Sequence, residues 1–168
     1  GAIVELVALL DHAGIVCDSA MYALVKILEA SQFPWCQFPV VHFDIMETVH
    51  RAGIIPKLWN LSKSDEHLPL MLLSLLTRLD SLRRSVVTGD GLSVLINNTD
   101  SAYTWELLEE SIIYDPVAFR TVRDELPRFV ASYTSAASGY PHGSWVNYYF
   151  VRFLRGLLTN FHHGMEVF

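Results

Sequence analysis

The sequence predicts an all-helical protein built from a repeated helical unit. Three observations carry that prediction. Apolar residues recur at the spacing of one helix face along almost the whole chain. No segment combines polar–apolar alternation with hairpin-turn residues, and one bend pattern returns along the chain.

Taken in order, the elements have local causes. Met21, Leu24, Val25 and Leu28 fall at i, i+3, i+4 and i+7 and so share a face, and Asp18–Ser19 offers a cap before Ala20. Asp44 opens the next helix before Ile45. Leu72, Leu75, Leu76 and Leu79 repeat the one-face spacing, as do Phe150, Phe153, Leu154 and Leu157. Asp115–Pro116 is a start signal before Val117, because proline suits a first helical position that has no intrahelical partner for its N–H. Ser144 plays the capping part before Trp145.

The bend pattern ties these helices into units. Gly1–Leu10 and Gly53–Leu61 share a small residue, an apolar pair, a break and leucine at one offset. Asp90–Ile96 and Asp124–Val130 follow the same plan. The last three are each preceded by a short amphipathic helix, Met46–Arg51, Leu82–Val87 and Ala118–Arg123, and all four are followed by a longer apolar one. Such a unit cannot bury its faces alone, and stacking gives it a continuous core.

Val49–Leu58, with its Ala52–Gly53 bend and an apolar–proline pair at Ile55–Pro56, resembles the armadillo-repeat signature. The resemblance implies an all-α, right-handed superhelix of about four stacked armadillo-like helical repeats. Residues 1–168 then form one domain with units near 1–43, 44–81, 82–115 and 116–168. The first unit lacks an opening helix, as expected of a fragment of a longer array. HEAT-type helix pairing is the alternative architecture.

Two segments interrupt the series. Ser31 to Phe43 reads as a loop rich in proline and aromatics, with Phe33, Trp35 and Phe38 as candidate contacts for a partner or simply rings tucked against the helices. Ser135 to Gly143 reads as a small, Gly/Ser-containing connector.

Composition narrows the function. Apolar residues make up 51% of the chain and charged residues 18%, enough for a sizeable core and poor in cover for the outside. A formal charge of -6 argues against nucleic acid as a partner, since backbone phosphates call for a clustered basic surface. No apolar run is long enough for membrane insertion. Cys17 and Cys36 have neither metal-ligand nor disulfide-framework spacing and read as reduced core residues of an intracellular protein. With no secretory signal at the start, the expected location is cytoplasmic, with the nucleus as the alternative. Without that signal, the glycosylation patterns at Asn60 and Asn97 carry no weight.

Catalytic constellations are missing, so no enzyme, metal or cofactor is expected. There is no Gly-x-Ser-x-Gly elbow, phosphate loop or His-Glu-x-x-His. His162–His163 point apart at a helix end, His142 lacks a nearby acid, and Glu106 and Glu110 read as a solvated acidic stripe.

The armadillo resemblance implies a groove lined by the third helices. The family's Trp-x-x-x-Asn positions fall on Tyr22 and Lys26, on Ser74 and Arg78, and on Tyr148 and Arg152. The third unit offers Trp105 and Glu109 in poorer register. The asparagine ladder with which nuclear-import adaptors hold a peptide backbone is absent. Cations stand in its place, so the expected partner is a protein or peptide, acidic or phosphorylated, with Tyr22 and Tyr148 as flat anchors. The competing reading takes these cations as ordinary solvated positions. A second class of function is structural self-association through the last helix, where Trp145, Tyr148, Tyr149, Phe150, Phe153, Leu154, Leu157, Leu158 and Phe161 occupy most of the circumference.

Overall fold

The computed structural model describes residues 1–32, 39–64, 67–87, 91–137 and 145–165, and every regular element among them is helical. The chain forms two compact units, Gly1–Val86 and Val87–Phe168. Phe33, Trp35, Cys36, Phe38, His142 and Ser144 lie outside the described residues.

In the first unit, α1 (Ala2–Leu9) leads through a turn into α2 (Ile15–Gln32). That turn contains Gly14 at φ 65, a backbone conformation in which glycine carries no side-chain penalty. It starts α2 ahead of the expected Asp18–Ser19 cap, and Asp18 falls instead in the first turn, where its charge suits the helix dipole. Met21, Leu24, Val25 and Leu28 are all buried, as their spacing predicts.

Next come α3 (Pro39–Arg51), α4 (Ile54–Leu61), a short 3-10 turn at Ser62–Ser64, α5 (His67–Thr77) and α6 (Asp80–Val87). The bend between α3 and α4 follows the sequence expectation. Gly53 takes φ 75 and donates its N–H to the His50 carbonyl at 2.9 Å, and Ile54 and Leu58 then turn inward. Eight of the eleven residues of α5 are buried, so this helix, apolar nearly all round, forms the centre of the unit against α2 and α4. Two long-range ties fix the edges. Trp59 donates its indole N–H to the Val86 carbonyl at 3.2 Å, and Lys57 reaches Asp11 at 2.5 Å.

The second unit holds α7 (Gly91–Asn97), α8 (Ala102–Tyr114), α9 (Pro116–Ala137) and α10 (Trp145–Met165), with α8 packed against the other three. Asp115 caps α9 by accepting the Val117 N–H at 2.8 Å, with Pro116 at the first helical position. The core is aromatic. Trp105 meets Phe129 edge-on at 5.6 Å and Phe150 at 4.7 Å, and Phe153 lies 5.4 Å from the same indole. Such ring pairs add to the burial of their area.

Three sequence expectations are corrected here. The bend expected at Asp124–Val130 is absent, and α9 runs unbroken through Pro127. Ala118, Val122 and Phe129 lie on the buried face of that single helix, and a bend between them would lift Phe129 off Trp105. Proline on the exposed side removes only one backbone donor, a cost the buried face outweighs. The expected loop from Ser31 to Phe43 is helical at both ends, because α2 reaches Gln32 and Pro39 begins α3, which leaves Asp44 inside that helix rather than at its start. The connector from Ser135 likewise begins as helix, with α9 extending to Ala137.

Candidate functional site

In the first unit, the outward stripe of α2 carries Ile15, Ser19, Tyr22 and Lys26, all exposed. The spacing i, i+4, i+7, i+11 places them opposite the buried stripe of the same helix. The Lys26 ammonium sits 5.3 Å from the centre of the Tyr22 ring and 3.0 Å from the Glu29 carboxylate. The hydrogen bond that Lys26 donates to Glu29, then the charges of Glu29 and Tyr22, raise the Lys26 pKa.

Ser74 is 1% exposed, so the groove contact expected there is not at the surface. The physical reason is the central position of α5, which takes Ser74 into the core with the leucines around it. Arg78 lies just beyond the end of α5 and is exposed. The pattern implied by the resemblance therefore divides in this unit: Tyr22, Lys26 and Arg78 face outward and Ser74 does not.

The second unit gathers more. At the start of α10, Trp145, Tyr148 and Tyr149 fall at i, i+3 and i+4 and touch one another. Trp145 and Tyr148 are 6.2 Å apart at 88°, and Tyr148 and Tyr149 are 5.3 Å apart at 80°. Trp145 is 73% exposed and Tyr148 54%. One turn on, the Arg152 guanidinium stands 5.8 Å from the Tyr148 ring centre and 5.5 Å from that of Tyr149, within range of attraction by both ring faces.

Arg152 also pairs with Glu109 of α8 at 2.8 Å, with the Glu109 side chain 15% exposed and that of Arg152 39%. Gly156 makes room for this carboxylate. A Cβ there would lie 3.4 Å from Glu109 Cγ and 3.7 Å from Oε1, so Glu109 occupies the space that a larger side chain of α10 would fill. Burial raises the Glu109 pKa above its ordinary value, with Arg152 pulling it back and Glu106 adding to the rise. Burial also opposes the charge on Arg152, but Glu109, Tyr148, Glu106 and Tyr149 outweigh it and leave the Arg152 pKa raised.

Tyr148 and Arg152 share a surface, as their spacing along one helix implies, whereas Glu109 as the partner of that arginine, and Trp145 and Tyr149 as more than general apolar cover, lie outside the sequence expectations. The i, i+3, i+4 spacing of the three rings was a usable signal; the link to Glu109 in another helix had none. Trp105, grouped with Glu109 in the sequence register, is a core residue at 1% exposure.

Chemically, α2 and α10 each present a ring beside a cation that an in-chain carboxylate already neutralises. This arrangement stacks on flat or apolar groups, and it takes an external anion only by exchange with Glu29 or Glu109. Among the described residues, no group of three or more His, Cys, Asp or Glu side chains is placed to hold a metal ion, and no helix is long and apolar enough to cross a membrane. In comparisons with protein-family models, curated proteins and solved structures, nothing matches this chain.

Proposed function

We propose that this chain is a non-catalytic scaffold that binds a protein or peptide segment through its exposed aromatic–cation positions, Tyr22 and Lys26 on α2 and Tyr148 and Arg152 on α10. The observation that carries the reading is the cluster of Trp145, Tyr148 and Tyr149 beside Arg152. Rings already packed on one another, with Trp145 and Tyr148 exposed, lose little freedom on binding, and aromatic and arginine side chains dominate interface energies. An acidic or phosphorylated segment is the partner these cations favour. The finer fold reading, a right-handed superhelix of armadillo-like repeats, belongs to the same proposal; the α3–Gly53–α4–α5 succession supports it locally. A cytoplasmic location completes it.

The test is a peptide array of acidic, phosphorylated, neutral and basic sequences, probed with the intact chain, with Tyr148→Ala, and with the triple exchange of Lys26, Arg78 and Arg152 to Glu. Binding to acidic or phosphorylated spots that both variants lose supports the reading. Unchanged binding by the triple variant refutes it.

A second reading, self-association, is favoured by Val151 and Leu158, exposed apolar residues on the outward side of α10. Light scattering across a concentration series, with and without Val151→Glu and Leu158→Glu, tests it. A mass that stays monomeric at every concentration removes it.

A further inference from the structure

We propose that Glu109 is a built-in competitor for the Arg152 site, so that an anionic ligand binds α10 by displacing the Glu109 carboxylate and the displaced carboxyl takes up a proton. The inference rests on the reading of Arg152 as an anion contact and adds what controls that contact.

The geometry supplies the first half. Arg152 is the cation beside the exposed rings, and Glu109 already occupies it at 2.8 Å. A carboxylate or phosphate arriving over Tyr148 meets a guanidinium whose charge is spent on an in-chain partner. Its affinity is therefore lowered by the free energy of that ion pair. Glu109 cannot swing freely into water when displaced, because its side chain lies over Gly156 between α8 and α10 and is mostly buried.

The second half follows from where the displaced carboxyl is left. It keeps its desolvation and its like-charged neighbour Glu106 but loses the cation that had favoured ionisation. The charged groups that act on it are Arg152 from α10 and Glu106 from its own helix. Arg152 in turn sits beside the rings of Tyr148 and Tyr149. Ligand binding and proton binding then reinforce one another, so affinity for an anion rises as the pH falls.

Benzenesulfonate is a suitable probe, because it pairs a flat ring with a charge that does not titrate. Its binding is followed through the Trp145 indole and Arg152 side-chain NMR signals at about pH 7.5 and about pH 5. The expected result is that Arg152→Ala loses binding, Glu109→Gln binds tighter by a factor on the order of 5 to 150, and the intact chain but not Glu109→Gln gains affinity at the lower pH. The pH dependence of the intact chain needs no variant, so a poorly folded Glu109→Gln leaves the proposal testable. If Arg152→Ala loses binding while the intact chain shows no pH dependence and Glu109→Gln no gain, the competitor role is wrong and the anion contact stands. If Arg152→Ala binds as the intact chain does, or nothing binds, the anion contact itself fails and the competitor role with it.

Discussion

The Arg152 guanidinium lies 2.8 Å from the Glu109 carboxylate and 5.5 Å from the centre of the Tyr149 ring, so one side chain joins the packing of α8 and α10 to an exposed aromatic surface. Half-buried pairs of this kind act mainly through what happens when one partner is missing. Arg152→Ala should destabilise the fold more than Arg152→Ala combined with Glu109→Ala, because the single change strands a desolvated carboxylate. The expected coupling is about 1 kcal/mol, discounted for the exposure of Arg152. Urea unfolding of the four proteins measures it, and additivity would show that the pair contributes nothing.

Stability should depend on pH through Glu109. Burial, the largest influence, raises its folded pKa above the ordinary 4.5. The folded state therefore holds this proton more tightly than the unfolded state. The stabilisation is fully present below 4.5 and is lost as the pH rises through the folded value. The unfolding free energy of the intact chain relative to Glu109→Gln should thus fall as the pH is raised through that window. A flat difference would show that the carboxyl is solvated.

Gly156 offers a test of the space around the same carboxylate. An added Cβ would sit in ordinary contact, 3.4 Å from Glu109 Cγ. Gly156→Ala should therefore gain about 0.5–1 kcal/mol of helix stability without disturbing the pair. Gly156→Leu needs the volume that Glu109 fills and should both lower the melting temperature and release Arg152. Equal melting temperatures for the two variants would mean that α8 and α10 leave room for the larger side chain.

Gly53 isolates a backbone effect. Its φ is 75 and nothing lies within 4 Å of the place a Cβ would take, so Gly53→Ala introduces no clash. The expected loss is about 1–2 kcal/mol, from the left-handed conformation alone. Thermal unfolding reads it, and no loss would mean that the bend relaxes to an ordinary turn.

Much of the secondary structure was legible because its causes are local. The buried stripe of α2, the Asp115–Pro116 start of α9 and the Gly53 bend each depend on residues within a turn or two of one another. The Lys26–Glu29 pair, at i and i+3, was open to the same reasoning. The candidate site was legible only in its α10 half and in Tyr22 and Lys26, where spacing along one helix puts side chains on a shared surface.

Local chemistry along the chain is enough to make it helical, to set which way most helices face and to bend it at Gly53 between α3 and α4. Packing between helices distant in the chain is what carries α9 through Pro127, makes α5 central enough to bury Ser74, takes Trp105 into the core and pairs Arg152 with Glu109. The division has one physical cause. Period, caps and glycine conformations act over a few residues, whereas burial and desolvation are settled by whichever distant helix arrives to cover a face.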